Sequence, residues 1–355
     1  MSQIKKLQMS SRERVLTVLQ KKEPDRIPTF EFWVDEGVVN SLTHGGTMDD
    51  FIERYDIDAI HFRPDEKKWG RENGTFMDEW GVTKKKGSEN YLMPLDQFAP
   101  IKNWADAERW NPPDPFTDYR FDSLKAGIKK YKDKRAIIVQ IRDVWSSPRD
   151  LMGYENFLIN IIEKPDLVAY LVEKCINHSI QLAQLSAELG AEIIVSGDDI
   201  ADNRSTLVSP QIFKTLFLPY FQRWAKAIHD CGMYFIKHTD GNIMAVMDML
   251  VEAGIDGIDP IDPLGKMDLK TVKERWGKQI ALMGNVDCVN LLTQGTETKV
   301  VQAVKNCIRV AGPGGGYICA SSNSIHSGVK PALYQAMLKA IKEFGSYPLD
   351  LDRLS

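Results

Sequence analysis

His238 and Asp240 stand two residues apart in the run Lys237-His238-Thr239-Asp240-Gly241-Asn242. On an extended segment, residues i and i+2 project to the same side, so this pair can address one ligand. Three uses fit: a general acid oriented by its carboxylate, part of a metal site, or a hydrogen-bonding clamp on a substrate. A metal needs at least one more donor, and Asn323, Asp199, Glu31 or Cys319 could bring one from neighbouring strand ends. Because the group is poor in thiolates, zinc comes second to acid use.

Other polar residues end apolar runs in the same way: Arg142 and Asp143, Asp198 and Asp199, Asp259 and Asp262, Asn285 and Asp287, Asn323 and His326. Asp and Asn are also the ordinary turn and capping residues after any strand. Histidine is not, and with six in the chain His238 and His326 stand out. Glu31 lies among Phe30, Phe32 and Trp33, where a carboxylate must face a pocket or be paired, since burying it alone is costly. Trp33, Tyr91, Trp145 and Phe62 could wall a flat apolar substrate, although aromatics are also ordinary core material.

The elements that would position these groups alternate along the chain. From residue 136 a short β-branched run, a polar turn and an amphipathic helix recur, which is the mark of parallel strands joined by crossover helices. Strands are expected at 136 to 143, 191 to 199, 234 to 241, 255 to 262, 280 to 287 and 316 to 324, with 26 to 32 and 57 to 62 making eight. The stretch SPQIFKTLFLPYFQRWAKAIHDCG reads as one helix, capped by Ser209, opened by Pro210 and ended by Gly232. A second helix is expected from Asn242 to Gly254, and residues 70 to 95 read as an inserted β-hairpin. No GxGxxG follows the first strand and no P-loop occurs, which counts against an open doubly wound sheet. The expectation is a single-domain (β/α)8 TIM barrel over residues 1 to 355, with an N-terminal extension and that hairpin. Its site would lie at the carboxyl ends of the strands.

A formal net charge of −4 argues against a nucleic-acid partner, which would call for surplus Lys and Arg. Five cysteines, Cys175, Cys231, Cys288, Cys307 and Cys319, are widely spaced and odd in number, as free thiols in a reducing compartment are. No apolar run approaches ~18 residues and no signal-peptide core opens the chain, so no membrane association and a cytoplasmic location are expected. A homodimer is the default oligomer.

The order and spacing of SSRERVLTVLQKKEPDRIP, SGDDIADN, SPQIFKTLFLPYFQRWAKAIHDCG, KHTDGNI, GNVDC and GPGGGYICASSNSIH resemble the uroporphyrinogen decarboxylase superfamily over almost the whole chain. Within it the chain looks like the branch of corrinoid-dependent methyltransferases. The resemblance implies a (β/α)8 barrel. True decarboxylases follow their first strand with an Arg-rich segment of the type MRQAGR, which pairs the carboxylates of a porphyrinogen. Here Phe32-Trp33-Val34-Asp35-Glu36-Gly37 stands instead, so a polyanion would meet repulsion where it needs pairing. The corrinoid methyltransferases carry a zinc motif His-x-Cys with a second Cys in the last strand's loop. His238 matches the histidine, but Asp240 and Asn323 occupy the two thiolate positions, and a harder set binds zinc more weakly.

That departure suits transfer from a methylated oxygen to cobalt. The resemblance implies a methyltransferase taking a methyl group from a small donor, a methoxylated aromatic foremost, to cob(I)alamin carried on a separate corrinoid protein. His238 and Asp240 would bind and protonate the leaving oxygen. Glu31, Asp199, Asn285, Asn323 and His326 would complete the polar lining, with Trp33 and Tyr91 packing the ring. Two alternatives stay open: a decarboxylating lyase using Arg142 or Arg204 for a small acid, and a non-catalytic binding module.

Overall fold

The computed structural model describes residues 8–87 and 92–354. Seven parallel strands form one sheet in the spatial order β1 (Ala59–Phe62), β6 (Ala136–Gln140), β7 (Ile193–Gly197), β8 (Tyr234–His238), β9 (Gly257–Asp259), β10 (Ala281–Val286) and β11 (Tyr317–Ser321). Sequential order equals spatial order, as expected when each crossover helix returns the chain beside the strand it left. The runs Ala136–Val139 and Ile193–Val195 are buried at every position. A strand covered on both faces has no solvent side, so its sequence is continuously apolar rather than alternating.

The segment expected to supply the eighth strand, 26 to 32, does not join the ladder. It runs between the two edge strands and makes one backbone bond to each neighbour: Cys319 N–H donates to Pro28 O (3.1 Å) and Asp58 N–H donates to Thr29 O (3.0 Å). Pro28 has no N–H, and Thr29 N–H donates to the Asp58 carboxylate (2.8 Å) instead of to a neighbouring carbonyl. Asp58 also receives Arg14 Nη1 (2.5 Å) and Arg26 Nη1 (2.8 Å), both arginines of the RERV…DRIP motif. Helix Ser11–Leu19, opened by a reciprocal Ser10–Glu13 capping box, holds Arg14 in place. The opening motif is thus an ion network beneath the sheet, distant in role from the strand ends.

Residues 68–94 hold more than the expected hairpin. The strands Lys68–Gly70, Thr75–Asp78, Thr83–Lys86 and Leu92–Pro94, β2 to β5 in chain order, pair antiparallel as a small separate sheet. Tyr91 lies outside the described residues. The helix after Ser209 is also less regular than expected: Pro210–Ile212 leads into a π-turn over Phe213–Phe217 and then Leu218–Asp230. Pro219 explains the break, because its missing N–H and its ring disturb the preceding turn. The helix expected from Asn242 begins only at Met247, since Asn242 N–H is committed to Asp202 O (2.8 Å) and Asn242 Oδ1 accepts from Met244 N–H (3.2 Å). Among the described residues the five cysteines are unbridged, and no helix is long and apolar enough to cross a membrane.

Candidate functional site

The register of β8 against β9 sets His238 opposite Asp259. His238 Nδ1–H donates to Asp259 Oδ2 at 2.5 Å, which fixes the ring and turns Nε2 toward two further carboxylates. Nε2 lies 3.9 Å from Asp199 Oδ1 and 3.8 Å from Asp240 Oδ1, near enough for attraction and too far for a hydrogen bond. Asp240 N–H donates to Asp199 Oδ1 (3.1 Å), tying the ends of β7 and β8 together. The turn needs Gly241: its φ is +86°, and a Cβ there would lie 2.5 Å from Asp202 O.

The far side of Asp240 is held from β11. Asn323 Nδ2 donates to Asp240 Oδ2 at 2.5 Å, and Ser321 Oγ donates to Asn323 O. Glu31 reaches the same strand, accepting from Ser321 N–H (2.9 Å) with its second oxygen 2.8 Å from Ser321 Oγ. Asp240 Oδ1 is buried without a hydrogen-bond partner.

These contacts separate the protonation behaviour of neighbouring groups. Burial works against a charged His238, but the Asp259 hydrogen bond and the charges of Asp240, Asp259 and Asp199 prevail and lift it to about 9. Burial pushes Asp240 up to about 7, with His238 pulling the other way and Asp199, Asp259 and Asp262 adding to the rise. Burial raises Glu31 to about 8 in spite of its two Ser321 donors. At neutral pH the cluster therefore holds a protonated imidazole whose outward N–H is not consumed by the protein.

The same atoms suit a cation. Asp199, His238 and Asp240 each offer one ligand atom, and the three lie within 4.8 Å of one another. One nitrogen and two carboxylate oxygens form a hard set that a divalent ion with oxygen preference would accept and that holds zinc less tightly than thiolates do. A cation on Nε2 and a proton on Nε2 exclude one another.

Of the residues expected at the site, Glu31, Asp199, His238, Asp240 and Asn323 are connected in this way. Arg142 stands at the end of β6, with Nη1 on Asp150 Oδ2 (3.0 Å). Trp33 is half-buried and its carbonyl accepts from Ile325 N–H (3.0 Å), beside the His326 turn. His326 Nδ1 accepts from Gly328 N–H (3.2 Å), so it shapes that turn. Asn285 uses its amide elsewhere: Nδ2 donates to Ile261 O (2.8 Å), and Oδ1 accepts from Cys307 of the helix packed outside β10. Trp145 is fully buried against Phe157 and Phe217, and Phe62 fills the space above Gly127, so both are packing residues. Asp262 and Asp287 bind turn N–H groups, the ordinary use of Asp after a strand. Arg204 is exposed and closed on Asp202 (3.0 Å).

Two groups escaped the reading of the chain. Lys237 is buried with Nζ on Asp143 Oδ2 (2.6 Å) and Asp198 O (2.7 Å), while Ser196 Oγ donates to Asp143 Oδ2 (2.9 Å). A lysine inside the apolar run YFIKH was the available signal. On the other side of the sheet's edge, the Phe32 ring lies edge-on to His238 (6.1 Å) and to His61 (5.6 Å), and His61 Nε2 contacts Gln140 Oε1 (3.0 Å). Only the neighbourhood of β1 and β6 reveals that set. A separate cleft of about 430 Å³ on the inserted sheet, lined by Arg71, Glu72 and Phe98 among others, contains none of these groups.

Fold and site together define a parallel α/β protein with a partly exposed acid–base cluster at the carboxyl edge of its strands. The chain belongs to the uroporphyrinogen decarboxylase (URO-D) family, whose model matches residues 97–344. It is 23% identical over 189 residues to the methylcobamide:CoM methyltransferase MtbA of Methanosarcina acetivorans, 53% of this chain and 54% of that one, so the chain spans about half the length of this relative. It is also 23% identical over 281 residues to the uroporphyrinogen decarboxylase of Myxococcus xanthus, 76% of this chain and 75% of that one. Among solved structures, a methyltransferase from Methanosarcina mazei superposes with a TM-score of 0.76 at 18% identity, over 95% of this chain and 99% of that one, which establishes a shared fold.

Proposed function

We propose that the protein is a methyltransferase that moves a methyl group from a small methoxylated aromatic to the cob(I)alamin of a separate corrinoid protein. The observation that carries this reading is His238: anchored at Nδ1 by Asp259 and open at Nε2, it is built to hand over a proton beside the Phe32 ring. The MtbA relative supports the corrinoid, which supplies a strongly nucleophilic cobalt to receive the methyl. As the methyl–oxygen bond breaks, its electron pair stays on oxygen, and His238 Nε2–H protonates that oxygen. A phenol of pKa near ~10 and an imidazolium near 9 are closely matched, the condition under which a positioned acid gives ~10²- to 10⁴-fold. Asp259 holds the ring, and Asn323 and Asp199 hold Asp240 in place to keep the ring charged. Were a divalent cation bound, Asp199, His238 and Asp240 would hold it and it would polarise the same oxygen.

We read the extended segment 26 to 32, although it does not join the ladder, as the eighth stave of a single (β/α)8 barrel, which would put Glu31 and Phe32 at its mouth. A cytoplasmic homodimer is the accompanying expectation.

Incubating the protein with cob(I)alamin and a panel of methoxyarenes tests the reading, with methylcobalamin followed in the visible spectrum. Formation by the wild type and its loss in His238→Ala support the assignment. An unaltered rate in folded His238→Ala removes the acid role, and no methylcobalamin with any donor removes the methyltransferase. Arg142 at the end of β6 keeps a lyase as the second reading, which carbon dioxide release from a panel of small acids would favour.

A further inference from the structure

Away from His238 the carboxyl edge of the sheet carries two arginines. Arg63 follows β1 and Arg142 follows β6, two strands paired as His61↔Ile138 and Phe62↔Val139. His61 and Arg63 share one face of their segment, as Gln140 and Arg142 share one face of theirs. Gln140 joins the two pairs, its Oε1 accepting from Arg63 Nε (2.8 Å) and meeting His61 Nε2 (3.0 Å). Its Nε2 fills the space that Gly197 leaves, where a Cβ would lie 2.0 Å away. From His61 the wall continues through Phe32 to His238 by the two edge-on ring contacts described above.

Neither guanidinium is closed off by its neighbours. Asp150 answers Arg142 with a single bond (3.0 Å) while also accepting Arg149 Nε (3.0 Å) and Nη2 (2.8 Å), so one carboxylate serves two arginines. Arg63 is exposed and spends its Nε on a neutral amide oxygen. Glu66 acts on both charges, yet its carboxylate accepts from Trp80 Nε1 (3.3 Å). Asp78 and Asp198 act on Arg142 more weakly than Asp150, and Asp78 is paired with Lys84 (2.6 Å).

We propose that Arg63 and Arg142 form a carboxylate subsite, so that the methyl donor is a methoxylated aromatic carboxylate rather than a neutral methoxyarene. The donor class rests on the methyl-transfer reading given above. Guanidinium forks match a carboxylate geometrically. The ring lies along Phe32, and the methoxy oxygen meets His238. The placement of the arginines also sets direction: reversed, the carboxylate would face Asp199, Asp240 and Asp259, a like-charge contact that disfavours that pose.

Isothermal titration of the purified protein with the three methoxybenzoates and the three matching methoxybenzamides tests the subsite, with circular-dichroism melts confirming that each variant is folded. At least one acid should bind roughly ten- to a hundredfold more tightly than its amide, the worth of hydrogen bonds to a charged group. Arg63→Gln and Arg142→Gln should each lose most of that preference and leave amide binding nearly unchanged, while Arg63→Lys should retain part of it. Equal affinity for acids and amides, a preference that survives both glutamine variants, or no binding of any acid would each overturn the subsite. The cob(I)alamin assay separates the two failures. Methylcobalamin formed alike from acids and amides keeps the methyltransferase and removes the subsite; an arginine-dependent acid preference with no methylcobalamin keeps the subsite and removes the donor assignment.

Discussion

Lys237 and His238 are neighbours on β8, yet they serve two different kinds of polar cluster. Lys237 points to the face where Asp143, Ser196 and the Asp198 carbonyl surround it, and it is 1% exposed. Asp143 N–H donates to Asp198 Oδ2 (2.7 Å), so the carboxylates and the ammonium close on one another. His238 points to the other face, is fixed at one nitrogen, and keeps 19% of its side chain exposed. Both clusters combine a cation with several carboxylates at one strand edge. They differ at the cation: Lys237 Nζ has two protein acceptors on it and is closed, whereas His238 Nε2 has none within hydrogen-bond distance and is open. A closed cluster stabilises an arrangement, whereas an open one leaves something for a ligand to do.

Exchanging the two cations should give opposite phenotypes. Lys237→Met leaves buried carboxylates without their counter-charge, so it should lower unfolding free energy by about 3–5 kcal/mol in urea titrations. His238→Asn keeps a donor near Asp259 and removes the acid. Methyl transfer should fall by ~10²- to 10⁴-fold, while the stability loss, complete below pH 6.5 and gone above pH 9, should stay smaller than that of Lys237→Met because Asp199 and Asp240 are partly exposed. A His238→Asn protein that melts like Lys237→Met would erase the distinction.

Protonation sharpens it further. Glu31, raised from 4.5 to about 8, contributes stability that is present below pH 4.5 and lost as pH rises through 8. His238, raised from 6.5 to about 9, contributes stability that is complete below pH 6.5 and lost as pH rises through 9. Glu31→Gln should therefore match the wild type near pH 4.5 and exceed it at pH 9, by an amount on the order of 1 kcal/mol or more. Equal stability of the two proteins at both pH values would contradict a buried, raised carboxyl. Methyl transfer by the wild type should decline above pH 9 as His238 loses its proton, and a rate that climbs through that range would count against the acid.

The smallest effect is expected at Asn323. Asn323→Ala frees Asp240 Oδ2 from its donor, and turnover should drop by about threefold to tenfold, the scale of one net hydrogen bond of ~1 kcal/mol. Adding zinc or manganese to Asp240→Asn should also bind less heat than adding it to the wild type, because one of the three hard donors has lost its charge.

Seven strands and the gathering of Asp199 and Asp240 at His238 were legible in the chain because they depend on local period and on strand-end position, whereas the nearness of Asp240 to Asn323 came only from the family resemblance. Apolar runs such as AIIV form strands wherever both faces are covered, and the turn after them presents its polar residues at the carboxyl edge. Other features depend on partners that no local pattern names. Asp259 looks like any turn aspartate until the register of β8 and β9 sets it against His238. Asn285 reads as a strand-end amide like Asn323, yet it is drawn to Ile261 and Cys307. Segment 26–32 has the composition of a strand but gives its N–H to Asp58, and Asn242 looks like a helix start but gives its own to Asp202. The sequence by itself determined which segments become strands and which residues reach their ends, because those follow from side-chain period and turn chemistry. Only the tertiary structure decided which cluster is closed and which stays open, because the final hydrogen-bond partner of a charged group comes from a strand distant in the chain.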